Sequence, residues 1–204
     1  MRCMDKSIDH NTPIPGRNIV LVGLMGCGKS TVGRALSKMM GYPLVDTDQH
    51  LEKLEGRPVT DIFKIKGEPY FRSSEGQLVK SLIDMDIKKH VISTGGGLPT
   101  SEKARALLPK LGYVVWLNAD VETLHERTSK SDSRPLLDTD DPKQVLSDLL
   151  EKRRGFYQEC SHLEISTPDL DISDIAHGIL ESARFYFSER LSYQAQQEGS
   201  PSES

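Results

Sequence analysis

The sequence predicts an α/β domain in which one parallel sheet of five strands lies between layers of helices. Three observations carry that expectation. Short apolar runs alternate with helical patterns along the chain, as βαβ units do. The first, third and fourth runs are nearly continuous in apolar character, as strands buried on both faces require. The length of 204 residues, with 36% hydrophobic and 27% charged residues, suits one such domain with short tails.

In chain order, residues 1–16 are polar and lack periodicity, so they are expected to be a disordered tail before a domain spanning 17–190. Asn18–Gly23 (NIVLVG) is the first strand. A glycine-rich turn leads into a helix over Lys29–Met40, closed by Gly41. Pro43–Asp46 is the second strand. Residues 48–84 then form an insertion of two or three helices, broken at Pro58-Val59-Thr60 and restarted at Gly67-Glu68-Pro69 with proline in the first turn. His90–Thr94 (HVIST) is the third strand. Thr100 is the expected cap of the helix that follows, in SEKARALL. Tyr113–Asn118 (YVVWLN) is the fourth strand, and Asp120 caps the helix in VETLHERT. Residues from about 128 to 142 read as a polar, helix-breaking loop, suited to a lid. His162–Ser166 is the fifth strand, and an amphipathic helix over Asp174–Tyr193 closes the domain. From 191 to 204 the chain is expected to be a second disordered tail, because Gln194–Ser204 offers no apolar anchor.

Composition excludes several classes. The net charge is −4 with no basic stripe, which argues against nucleic acid as a partner. Cys3, Cys27 and Cys160 form no CxxC pair, so neither a disulfide framework nor a zinc site is expected. Reduced thiols, no apolar leader and no apolar run of about 18 residues point to a soluble, cytoplasmic protein away from membranes.

Gly23-Leu24-Met25-Gly26-Cys27-Gly28-Lys29-Ser30 fits G-x4-G-K-[ST], after a strand and opening a helix. Glycines let backbone N–H groups turn around phosphate oxygens, and the helix N-terminus adds partial positive charge. Lys29 can reach the β- and γ-phosphates of a nucleotide, and the Ser30 hydroxyl can ligate Mg²⁺. No Asn is followed by Lys, so the guanine-reading N-K-x-D element of GTPases is missing. No apolar strand ends in Asp at the usual Walker-B place. The carboxylates lie instead in Asp46-Thr47-Asp48, two apart on an extended segment, where one can serve a metal and the other a substrate hydroxyl. Arg72 and Glu75 are three apart on a helix, so Glu75 can hold the guanidinium, whose planar fork suits a carboxylate. On spacing alone that pair reads rather as a surface ion pair, and Lys152-Arg153-Arg154 rather as a solvated face. Phe63 and Phe71 fit a core as well as a ligand ring.

Taken together, GLMGCGKST, DTD, IFKIKGEPYFRSSE, STGGG, RPLL and RRGFY stand in the order found in shikimate kinases, and residues 17–185 resemble that family throughout. The resemblance implies a P-loop, nucleoside-monophosphate-kinase-like fold with strand order 2-3-1-4-5. It implies transfer of the ATP γ-phosphate to the 3-hydroxyl of shikimate. ATP would be held by Gly26, Cys27, Gly28, Lys29, Ser30 and Thr31, with Arg127 stacked on adenine and Arg134, in the lid, on the phosphates. Mg²⁺ would be held by Ser30 and, through water, Asp46. Asp48 would contact the acceptor hydroxyl, Arg72 and Arg153 the acceptor carboxylate, and Gly95, Gly96 and Gly97 the ring. Lys29, Asp48 and Arg134 would be catalytic. The chain departs from its relatives near Ser166-Thr167-Pro168-Asp169, where it offers the base mainly backbone. A monomer is expected. The rival readings are another small-metabolite kinase, such as a gluconate kinase, and a non-catalytic nucleotide-binding module. A substrate panel and a test for acceptor-dependent turnover separate these.

Overall fold

The structure is a computed structural model that describes residues 18–129, 137 and 139–198, with side chains through Arg190. The five strands are β1 (Ile19–Val22), β2 (Leu44–Asp46), β3 (Val91–Ser93), β4 (Tyr113–Asn118) and β5 (Leu163–Ser166). They pair in parallel in the order β2-β3-β1-β4-β5, with Ile19 in register with Val91 on one side and Tyr113 on the other. The helices are α1 (Lys29–Met40), α2 (Thr47–Glu55), α3 (Val59–Asp84), α4 (Glu102–Leu111), α5 (Val121–Ser129), α6 (Pro142–Cys160) and α7 (Ile172–Glu198).

Side chains alternate across the sheet and sort the apolar residues into two cores. From β1, Ile19 and Leu21 join Leu36, Leu124 and Ile179 on the α1 and α7 side. Val20 and Val22 join Val79, Leu108 and Trp116 on the α3 and α4 side. All four β1 residues have no exposed surface, which explains the unbroken apolar run. Because every strand is parallel, their C-terminal ends share one edge. There the turns after β1, β2, β3 and β4 converge, the usual place for a ligand in an open α/β sheet.

The expected insertion is α2 and α3. Gly56, in the left-handed region at φ 65, ends α2, and Gly67 at φ 81 kinks α3 just before Pro69. Two expectations need correction. Ser101, not Thr100, caps α4: its side chain accepts from Ala104 N, while Thr100 closes a short 3-10 turn on the Gly97 carbonyl. Ser101 has the extended backbone a cap needs, and Thr100 does not. The tail expected from 191 is helical as far as Glu198, since the chain meets no glycine or proline before Gly199 and Pro201. Residues 1–16, Arg134 and most of the expected lid lie outside the described residues. Among the described residues, no helix is long and apolar enough to cross a membrane.

Candidate active site

The turn after β1 gets its shape from glycine. Gly23, Gly26 and Gly28 have φ values of 142, 84 and 98, and a Cβ on Gly23 would lie 2.4 Å from the Leu117 carbonyl oxygen. Gly28 leads directly into α1, whose first turn has neither a capping side chain nor an acidic residue. The partial positive charge of the helix end is therefore left for an anion. Lys29 Nζ lies across the loop, donating to the carbonyls of Gly23 at 2.8 Å and Leu24 at 3.0 Å, with Cys27 Sγ at 3.7 Å. Cys27 itself is buried in the core. The Thr31 hydroxyl is bonded to Arg34 on the exposed side of α1.

Asp46 ends β2 and caps α2. Its Oδ1 accepts from the N–H groups of Asp48 at 3.1 Å and Gln49 at 3.3 Å, while Oδ2 accepts from Ser30 Oγ at 3.3 Å. A hydroxyl and a carboxylate held side by side are hard oxygen donors, and such a pair fits Mg²⁺, which keeps most of its water when bound.

Asp48 and Glu75 form the centre of a second region. Burial, reinforced by Asp46, pushes the Asp48 carboxyl up to about 6, against the opposing pull of Lys29 and Arg72. Burial pushes Glu75 up to about 7, although Arg72 opposes it. Asp48 Oδ1 and Glu75 Oε1 are both buried without a hydrogen-bond partner among the described residues. Both point at Gly95: a Cβ there would meet them at 2.5 and 2.2 Å, so the two oxygens are within about 5 Å of each other. Gly95 is thus required by space, and Thr47 Oγ1 holds its N–H at 2.9 Å.

The guanidinium groups complete this region. Arg72 Nη1 donates to Glu75 Oε2 at 2.6 Å, and its Nε and Nη2 donate to Glu68 Oε1 at 3.1 and 3.0 Å. Phe63 and Phe71 flank it, each ring centroid 5.6 Å from Cζ. Arg72 lies over Gly97, where a Cβ would be 2.2 Å from Cζ. Arg153, on α6, is buried and donates to the Gly96 carbonyl at 3.3 Å, and the Tyr157 hydroxyl donates to the same oxygen at 2.6 Å. Gly96 in turn abuts the first turn, with a Cβ position 3.2 Å from the Gly23 carbonyl oxygen. Residues from five separate segments therefore meet around Gly95–Gly97, next to the loop of Lys29. On the far side of that loop, Arg127 donates to Thr167 Oγ1 at 3.1 Å and sits 4.0 Å from the Cβ position of Gly28.

Sequence spacing leaves several of these contacts unseen. The burial of Glu75, the Thr47 hydroxyl on Gly95 and the Tyr157 hydroxyl on Gly96 all depend on tertiary structure. The only sequence signal for Tyr157 is its place one turn after Arg153.

The geometry can be set beside known proteins. A family model described as Shikimate kinase matches residues 25–184. A shikimate kinase of Caulobacter vibrioides is 40% identical over 176 residues, 86% of each chain. A solved structure of the shikimate kinase from Acinetobacter baumannii in complex with shikimate superposes with a TM-score of 0.78 at 37% identity, covering 88% of this chain and 97% of that one. A gluconokinase from Sinorhizobium meliloti, 22% identical with a TM-score of 0.52 over 89% of this chain and 98% of that one, shares the fold.

Proposed function

Given that the chain belongs to the shikimate kinase family, we propose that the site described above transfers the γ-phosphoryl group of ATP to the 3-hydroxyl of shikimate, giving 3-phosphoshikimate and ADP. The observation that carries this assignment is the meeting of Arg72, Arg153 and Asp48 at Gly95–Gly97, beside the Lys29 loop. Two cations flank one dipeptide, and an unpartnered carboxylate oxygen lies beside them. That arrangement suits a small acid that also bears hydroxyls.

The phosphates occupy the loop from Gly23 to Ser30, where backbone N–H groups and the α1 terminus face them. Lys29 exchanges the Gly23 and Leu24 carbonyls for phosphate oxygens. Arg127 and Thr167 flank the base, and the family resemblance assigns Arg134, which lies outside the described residues, to the phosphates. The acid carboxylate displaces Glu68 from Arg72 and is shared with Arg153. Asp48 then faces the attacking hydroxyl. That oxygen bonds to the γ-phosphorus in line as the bond to the β-phosphate oxygen breaks, and Asp48 orients or receives the hydroxyl proton. A carboxyl titrating near 6 is mostly ionised at neutral pH yet basic enough to take a proton. Ser30 and Asp46 would hold Mg²⁺, which supplies charge neutralisation to the phosphates. Catalysis then rests on positioning and electrostatics.

A coupled assay of ADP release tests the assignment. Turnover should require shikimate, and gluconate or buffer alone should give only slow hydrolysis. ADP release that ignores shikimate sinks the assignment.

A further inference from the structure

Tyr157 has no exposed surface, and its ring stacks on Trp116 of β4 with centroids 5.7 Å apart and planes at 28°. The ring is thereby fixed from the sheet side, and only the hydroxyl reaches the acceptor loop, at the Gly96 carbonyl. Burial raises the phenol well above its ordinary value, so it stays a donor at any working pH.

That carbonyl belongs to the peptide joining Gly96 to Gly97. A trans peptide is planar, so holding its oxygen also sets the direction of the Gly97 N–H, which points the opposite way. Glycine on both sides would otherwise leave this peptide freer to rotate than any other. The same dipeptide seats both cations: Arg72 lies over Gly97, and Arg153 shares the Gly96 oxygen with Tyr157. It also rests on the nucleotide loop at Gly23 and Met25.

We propose that Tyr157 is a positioning residue for the acid acceptor: its hydroxyl locks the Gly96–Gly97 peptide in one orientation and so sets the separation at which Arg72 and Arg153 clasp the carboxylate. The proposal rests on the shikimate kinase assignment above. Its rival is a purely structural Tyr157 that fills the core against Trp116.

Y157F separates the two, because it keeps the ring and its stack and removes only the donor. The shikimate KM should rise on the order of tenfold, the worth of one buried hydrogen bond, while the KM for ATP stays the same and kcat falls less. Replacing Tyr157 with p-aminophenylalanine, which keeps an N–H donor at the ring para position, should restore most of the loss. An unchanged shikimate KM in Y157F, or equal rises for both substrates, overturns the proposal. Should Y157F fail to fold, p-fluorophenylalanine at position 157 takes its place, because it keeps the ring and fills the space of the hydroxyl without a donor. The same rise of about tenfold in the shikimate KM is expected with ATP unaffected, and no change overturns the proposal. Wild-type protein without shikimate-dependent turnover is a separate failure: it removes the functional assignment first, and this proposal with it.

Discussion

The nucleotide loop and the acceptor pocket touch at Gly96, yet they are built on opposite plans. The loop is eight consecutive residues, Gly23 to Ser30, shaped by positive-φ glycines and by main-chain contacts of its own lysine. It would fold much the same way in any protein that offers it a strand and a helix. The pocket draws on α2, α3, the turn after β3 and α6, and it is made of charged side chains that only the tertiary structure brings together. Its carboxylates stay buried with one oxygen each unpartnered. The loop is therefore complete before a ligand arrives, and the pocket is not. General phosphate affinity resides in the first, and the choice of acceptor in the second.

The largest effect expected from breaking this contrast is at the loop. K29A removes the side-chain cation that lies across the phosphate cradle, and turnover should fall on the order of a hundred- to a thousandfold, the usual loss for one preorganised transition-state donor. Because the partners of Lys29 among the described residues all belong to its own loop, the melting temperature should change little. Turnover within tenfold of wild type, in a shikimate-dependent ADP assay, would deny the loop its role.

The next effect should be confined to the pocket. On the proposed assignment, R72A and R153A each remove a charged hydrogen-bonding partner of the acceptor carboxylate. The shikimate KM should rise about ten- to a hundredfold while that for ATP stays within about twofold. The two variants should then differ in stability. R72A leaves the fully buried Glu75 without its partner at 2.6 Å, whereas Arg153 acts on Glu75 only at longer range and forms no ion pair among the described residues. R72A should therefore melt at the lower temperature. Equal loss of affinity for both substrates would erase the distinction between loop and pocket.

The same contrast explains what was legible in the sequence. The loop, the five strands and most helix boundaries are local signals: glycine spacing, apolar runs and capping residues read without knowledge of the fold. The strand order came through the family resemblance, since no local residue encodes which strand neighbours which. In the pocket, Arg72 and Glu75 read rather as a surface ion pair, because a spacing of three fixes a helical neighbour and not its burial. Gly95 and Gly97 are assigned to the acceptor ring through the resemblance alone, and each is held to glycine by side chains arriving from elsewhere, Glu75 and Asp48 at one and Arg72 at the other. Tyr157 carried only its place one turn after Arg153, because its partner Gly96 lies 61 residues away in the chain. The error at Thr100 was of another kind. Adjacent Thr and Ser are both good caps, and the short turn on Gly97 decides between them.

The smallest effect concerns the buried carboxylates of the apoprotein. Glu75 is raised from 4.5 to about 7 and Asp48 from 3.8 to about 6, chiefly by burial. Between those limits the folded chain binds more protons than the unfolded one, so their contribution to stability is present at low pH and is lost as pH rises through the folded values. Urea denaturation should therefore show the apoprotein gaining stability as pH falls from about 8 to 5, by roughly 1–3 kcal/mol. E75Q, which cannot titrate, should flatten the upper part of that slope and leave the lower part, due to Asp48. Shikimate should flatten the Asp48 part differently, by giving its unpartnered oxygen a hydroxyl to accept from. K29A should steepen the Asp48 part, since it removes a cation that opposes the rise of that carboxyl, and leave the Glu75 part nearly intact. A stability that is level or rises with pH over this window would mean that water reaches Asp48 and Glu75, and that the pocket is no less complete than the loop.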